Sequence, residues 1–241
     1  ETVRLLVRRH SRRHPQDEAL SAGPGRLSRP ARRAILEDYR RNVPVEQIAD
    51  RYSRSRSSIY RIINQERARD LLEKEVDYVA EDSFSEPQAE QRIAGPEWRA
   101  VMRLLEAQAA EPPAEPPLEA RQERVLFRCY NYTKWLLAEG QKQLNPRRYV
   151  SGRLVGHLEE MADRAGRIRL ALLRAYRPLA ERVARQHGAA DAGELEQEAR
   201  SALARAIKQF DYRGRGRFPA YLRLDLQKRF ARLPAEEEPL L

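Results

Sequence analysis

A single cysteine, Cys129, excludes an intrachain disulfide and suits a reducing compartment, so a cytoplasmic location is expected. Aromatic residues make up only 7% of the chain, enough to fill small helical cores rather than one large one. Runs of β-branched residues are nearly absent, which argues against sheet. No segment approaches the roughly 18 consecutive apolar residues of a spanning helix, so no membrane partner is expected. The four histidines, His10, His14, His157 and His187, are scattered, and Cys129 has no evident partner. Neither a P-loop glycine pattern nor metal-ligand spacing is present, and the acidic residues alternate with Arg and Lys as surface pairs do. No catalytic activity, metal or cofactor is therefore expected. Glu1–Leu20 carries arginines and histidines where a signal peptide is apolar, and the chain opens on Glu rather than Met, so a fragment of a longer protein is expected.

What is abundant is Ala, Arg, Glu and Leu, the composition of an all-α protein. The formal charge is +10 and the isoelectric point about 10.0. Such a charge attracts polyanions, nucleic acid first among them, and says nothing about fold.

Residues 1–28 read as a basic flexible arm, ending in the loop chemistry of "SAGPGRLSRP". Residues 29–75 carry the clearest local pattern. "RPARRAILEDYRRN" forms a first helix with Ile35, Leu36 and Tyr39 to one side. "VPVEQIADRYS" forms a second, with Pro44 at its start, Glu46 in its first turn, and Val45, Ile48, Ala49 and Tyr52 on one face. After a short break at Ser53–Arg54, "SRSSIYRIINQERARDLL" forms a third, capped by Ser55, with Ile59, Ile62 and Ile63 inward. Two short helices, a tight turn and a basic final helix make a helix-turn-helix, whose last helix enters the major groove of duplex DNA. Arg54, Arg56, Ser57, Ser58, Tyr60, Arg61 and Gln65 lie off the inward face and are the expected DNA contacts. A three-helix structural bundle with a merely solvated polar face is the alternative.

Residues 76–119 read as a linker: acidic and irregular at first, then one short helix at "PEWRAVMRLLEAQAA", then the proline-rich spacer "AEPPAEPPLEA". Trp98, Met102 and Leu105 form a packing stripe on that helix. Residues 120–233 read as a longer helical domain, and 234–241 as an acidic tail. Val125, Cys129, Tyr132 and Leu136 share a helical face, which makes Cys129 a small core residue. Pro178 marks a break or kink. Leu195, Ala199, Ala202, Leu203, Ala206, Ile207 and Phe210 form a continuous apolar face, followed by the turn-rich "DYRGRGR" and a helix beginning "FPAYLRLDL".

The segment "ELEQEARSALARAIKQFDYRGRGRFPAYL" resembles region 2 of the sigma factors of bacterial RNA polymerase. Their pattern runs D-L-x-Q-E-G, then L-x-x-A-V-x-x-F-D-x-x-R-G, then F-x-T-Y. Leu195, Gln197, Glu198, Leu203, Ala206, Ile207, Phe210, Asp211, Tyr212, Phe218 and Tyr221 fit it without a gap. "RSRSSIYRIINQERARDLL" is similar to an extra helix-turn-helix that some members carry, and "LFRCYNYTKW" to the helix ahead of region 2. The resemblance implies a sigma region-2-like domain over 120–233 and two surfaces. Glu194, Gln197 and Glu198 fall where the family meets the coiled coil of the largest subunit of core RNA polymerase. Arg213, Arg217, Phe218 and Tyr221 fall where it grips the non-template single strand of promoter DNA, by stacking and by backbone charge.

There are departures. Leu224 and Asp225 stand where the family has a tryptophan pair, Gln227-Lys228 where it has Arg-Gln, and Tyr176-Arg177-Pro178-Leu179 where it has Asn-Leu-Arg-Leu. Later regions do not follow Leu233, which implies a chain truncated ahead of them or one in which the N-terminal helix-turn-helix substitutes for them. The function that follows from the resemblance is transcription initiation: binding core polymerase, recognising promoter DNA and helping to open it. The alternative is a free-standing helix-turn-helix regulator or recombinase-type module without polymerase binding.

Overall fold

The computed structural model describes residues 27–108, 117–187 and 192–231. Most of the expected basic arm, the heart of the proline-rich spacer and the acidic tail lie outside the described residues. The described residues are helical with no strand, as the composition requires. No helix among them is long and apolar enough to cross a membrane. The helices are α1 (Arg29–Arg40), α2 (Val45–Arg51), α3 (Arg56–Leu72), α4 (Ala89–Ile93), α5 (Pro96–Gln108), α6 (Ala120–Gln141), α7 (Gly152–His187), α8 (Ala192–Gln209) and α9 (Phe218–Phe230). A 3₁₀ turn at Asp82–Ser85 precedes α4.

The chain divides into two compact units: Glu1–Glu75 with Gly140–Glu159, and Val76–Glu139 with Glu160–Leu241. This redraws the expected boundaries twice. The supposed linker is largely structural, because Phe84, Ala89, Ile93, Trp98, Val101, Met102 and Leu105 are buried in the core of the second unit. An apolar residue every third or fourth position, on short helices, cannot be left in water, whatever the acidity of the stretch between. Residues 140–159, expected to belong with the C-terminal domain, group with the helix-turn-helix.

In the first unit, Ala31, Ile35, Leu36, Val45, Ile48, Ala49, Ile59, Ile62 and Ile63 form one core. Ser28 and Ser55 cap α1 and α3, accepting from the amides of Ala31 and Ser58. Both interhelical turns close on a residue in the left-handed region, Asn42 (φ 61°) and Ser53 (φ 48°). At the second turn the Arg54 amide donates to the Ala49 carbonyl (2.9 Å) and the Ser53 amide to that of Asp50 (3.1 Å). This paired pattern stops α2 and redirects the chain into α3. Pro44 stands just before α2 as its N-cap, one position ahead of the expected one. The α3 side chain of Glu66 is fully buried and receives Arg32 Nε (2.6 Å) as well as an Arg69 guanidinium. A charged pair therefore locks α1 to α3.

In the second unit, α6, α7, α8 and α9 join α4 and α5 around one core. Its centre is aromatic. The Phe218 ring lies 4.7 Å from that of Tyr176, 5.0 Å from Phe127 and 5.2 Å from Phe210, centroid to centroid. Cys129 is buried there as expected, and burial pushes its thiol up to about 12. Helix α7 continues through Pro178, although proline leaves the Arg174 carbonyl without its usual intrahelical donor.

Candidate nucleic-acid interface

The sequence marked two surfaces, one in each unit, and the structure treats them differently. On α3 the division into inner and outer faces is sharp. Ile59, Ile62 and Ile63 are buried, while Arg56, Ser57, Tyr60 and Arg61 are exposed, Tyr60 with 48% of its surface accessible. Arg56 reaches Glu46 of α2 at 3.1 Å, both side chains being more than half exposed, so water screens the pair. Arg61 has no ion partner among the described residues. No acidic residue occupies the first turn of α3, so its positive end is uncompensated.

Three of the expected DNA contacts, two on α3 and one in the turn before it, are occupied otherwise. The Ser58 hydroxyl accepts from Ser55 Oγ (3.1 Å) and belongs to the helix cap. Gln65 accepts from Arg32 Nη2 (2.8 Å) and donates from Nε2 to the Arg148 carbonyl (2.8 Å), so both ends of its amide are used inside the unit. Arg54 is half-buried at the turn, its guanidinium 3.4 Å from the Ser53 carbonyl.

At the second surface, around "FDYRGRGRF", the aromatics Phe210, Tyr212 and Phe218 are buried, while Asp211, Arg213, Gly214, Arg215 and Gly216 are exposed. Phe218 has no exposed surface and is the hub of the aromatic core, so it cannot stack on a base. The cause lies on α6, where Glu123 is buried at a position its neighbours make apolar. Its Oε1 accepts from the Phe218 amide at 2.7 Å, capping α9, whose own N-cap Arg217 supplies no side-chain cap. Its Oε2 accepts from Tyr176 Oη (3.1 Å) and from Arg217 (3.4 Å). Arg217 also donates to the Leu118 carbonyl (2.7 Å). The guanidinium expected to hold a DNA strand instead neutralises a buried carboxylate.

Arg213 is held too. It spans Asp211 (2.6 and 2.8 Å) and donates to the Ala80 carbonyl (2.8 Å). The hydrogen bonds from Arg213 to Asp211 hold that carboxyl below the usual range. Beside it the buried Tyr212 donates to Glu81 Oε2 at 2.9 Å, and burial with that carboxylate pushes the phenol up. Residues 80–81 of the supposed linker therefore clamp this loop. Tyr221 keeps a partly exposed ring, packed on Phe210 at 5.4 Å, and burial raises its phenol. Arg215 is exposed.

Of the expected polymerase contacts, Gln197 is exposed and Glu198 half-buried, the latter paired with Arg205 (2.5 Å) and close to Arg229 (3.8 Å). The side chain of Glu194 lies outside the described residues.

Sequence reasoning missed Glu123 and Glu81, the two carboxylates that hold the loop. Glu123 left a trace, being an acid on the same helical face as Leu126, Phe127 and Tyr130. Glu81 left none, because its partners, Arg128 and Tyr212, are 47 and 131 residues away in the chain. Neither a family model, nor a curated protein, nor a solved structure matches the chain.

Proposed function

We propose that the protein is a sigma-type transcription initiation factor, meeting duplex promoter DNA through α3 and core RNA polymerase through the polar side of α8. The observation that carries the DNA half is the division of α3, with three isoleucines buried and Arg56, Ser57, Tyr60 and Arg61 exposed at its start. A helix so presented fits the major groove, where arginine donates to guanine edges and hydroxyls reach phosphates. The polymerase half rests on the resemblance of α8 and on the exposure of Gln197. No cofactor or catalysis is involved, and the setting is the cytoplasm. Strand opening is the narrowest part of the reading, because Phe218 and Arg217 serve the core and leave Tyr221 as the one half-exposed aromatic for a base.

The same burial of Phe218 favours a second reading, a free-standing duplex-binding regulator. Co-purification separates the two. The initiation factor retains core polymerase at low salt and loses much of it with Gln197→Ala plus Glu198→Ala. No retention by the wild type removes the polymerase half and leaves the regulator.

A further inference from the structure

The loop between α6 and α7 is a second basic element of the first unit. It is anchored at both ends by Leu144 and Val150, 8% and 4% exposed, and folded by turns in which Asn145 accepts from the amides of Arg147 (3.0 Å, side chain) and Arg148 (2.9 Å, carbonyl). Between the anchors Arg147, Arg148 and Tyr149 are exposed, Tyr149 with 81% of its surface in water. Arg153, exposed in the first turn of α7, continues the stretch, and that turn contains no acidic residue. None of these three guanidinium groups has an ion partner among the described residues. Three such exposed arginines lie within seven residues of one another here, with no acidic residue between them.

The loop is fastened to α3. Gln65 donates to the Arg148 carbonyl at 2.8 Å, and a side chain at Gly152 would meet Asn64 at 3.0 Å. Arg67 pairs with Glu159 one to two turns further along α7. At 1.5 Å per residue, the loop stands about 6 Å behind Arg61 along the α3 axis and about 14 Å behind Arg56. The start of α3 thus projects beyond a shelf of arginines by somewhat more than the roughly 8.5 Å depth of the major groove. A helix whose tip reaches base edges needs its flanking support where the phosphate ridge passes.

We infer that Arg147, Arg148, Tyr149 and Arg153 form a phosphate clamp beside the groove-entering helix, gripping the backbone of the same duplex. The inference rests on the proposed duplex binding by α3. Its contacts are sequence-independent, so the clamp sets affinity and register while α3 reads bases. Gln65, expected to read DNA, positions the clamp instead.

The test is the salt dependence of binding of the full chain to a fluorescein-labelled random-sequence duplex, read by anisotropy. Each phosphate contact contributes a slope of about −0.9 in log K against log salt, so Arg147→Ala, Arg148→Ala and Arg153→Ala together should flatten it by about 2 to 3. These side chains make no intramolecular ion pair, and an unchanged melting temperature confirms that the variant is folded. Replacing Arg103, Arg124 and Arg167 by alanine, exposed in the second unit and equal in charge, should leave the slope nearly unchanged. Equal flattening by both triples, or none by the first, overturns the clamp while leaving duplex binding by α3 standing. Absence of duplex binding by the wild type overturns both. Loss by the first triple of binding to phosphatidylserine vesicles, with duplex binding intact, assigns the surface to a membrane and overturns the clamp.

Discussion

The start of α3 and the loop before α9 are built from the same residue types, arginine beside tyrosine or phenylalanine, with opposite results. At the start of α3, Arg56 and Arg61 point to water, and Glu46, which Arg56 reaches, is itself exposed. At the loop, Arg213 and Arg217 are each claimed by a carboxylate and a backbone carbonyl, and Phe218 is drawn under them into the core. The difference lies in the neighbours. Arg217, beside the buried Glu123, must stay, because leaving would strand an unpaired charge in low dielectric. Arg213 and Asp211 are both half exposed, and Arg213 is held by its paired contacts to Asp211 and by the Ala80 carbonyl. An arginine with only water around it is available to a phosphate.

The comparison breaks most visibly at Glu123. Glu123→Ala leaves the Phe218 amide and Tyr176 hydroxyl unsatisfied and Arg217 unpaired, and should cost about 3–5 kcal/mol of stability in urea unfolding. If Arg217 and Phe218 were held for DNA instead of for the core, the loss would be a few tenths and would fall on binding.

A further inward charge sharpens the contrast. Lys134 is buried, its ammonium lies 4.6 Å from the Tyr130 ring, and its Nζ has no hydrogen-bond acceptor among the described residues. Burial holds its pKa down at about 8. Below pH 8 the folded chain bears the penalty of the charged form. Between about pH 8 and the ordinary lysine value the folded state binds fewer protons than the unfolded one, so this group's contribution to stability rises with pH. Lys134→Met should therefore stabilise by up to about 3 kcal/mol at pH 7. That advantage should shrink steadily towards pH 10.5 in parallel denaturation curves, and an advantage independent of pH would show the lysine to be neutral or solvated.

The smallest effect tests the turn that aims α3. Ser53 sits at φ 48°, where a side chain is strained by about 1 kcal/mol, so Ser53→Gly should raise stability by about that amount without altering duplex affinity. A loss of stability would mean that the serine hydroxyl supports the turn.

Helix positions and inward faces were legible because they depend on local spacing. The Ser55 cap, the isoleucine face of α3, the packing role of Cys129 and the Trp98 stripe all follow from residues within a few turns. The state of Arg217, Phe218 and Gln65 was not legible, since each is decided by a partner far away in sequence: Glu123 for the first two, Arg148 for the third. The role of residues 79–105 was hidden because its buried apolar residues are spread over a 3₁₀ turn and two short helices, with acidic surface residues interspersed among them. A motif can locate a loop, and the charges packed behind it decide which way its side chains face.

The most direct measurement is duplex-binding affinity of two double variants at one fixed salt concentration. Arg56→Ala plus Arg61→Ala should weaken binding by at least about tenfold with stability unchanged, whereas Arg213→Ala plus Arg217→Ala should lower stability and leave the affinity of the folded protein within about twofold. The reverse pattern, with affinity lost at the loop and retained at α3, would contradict the account.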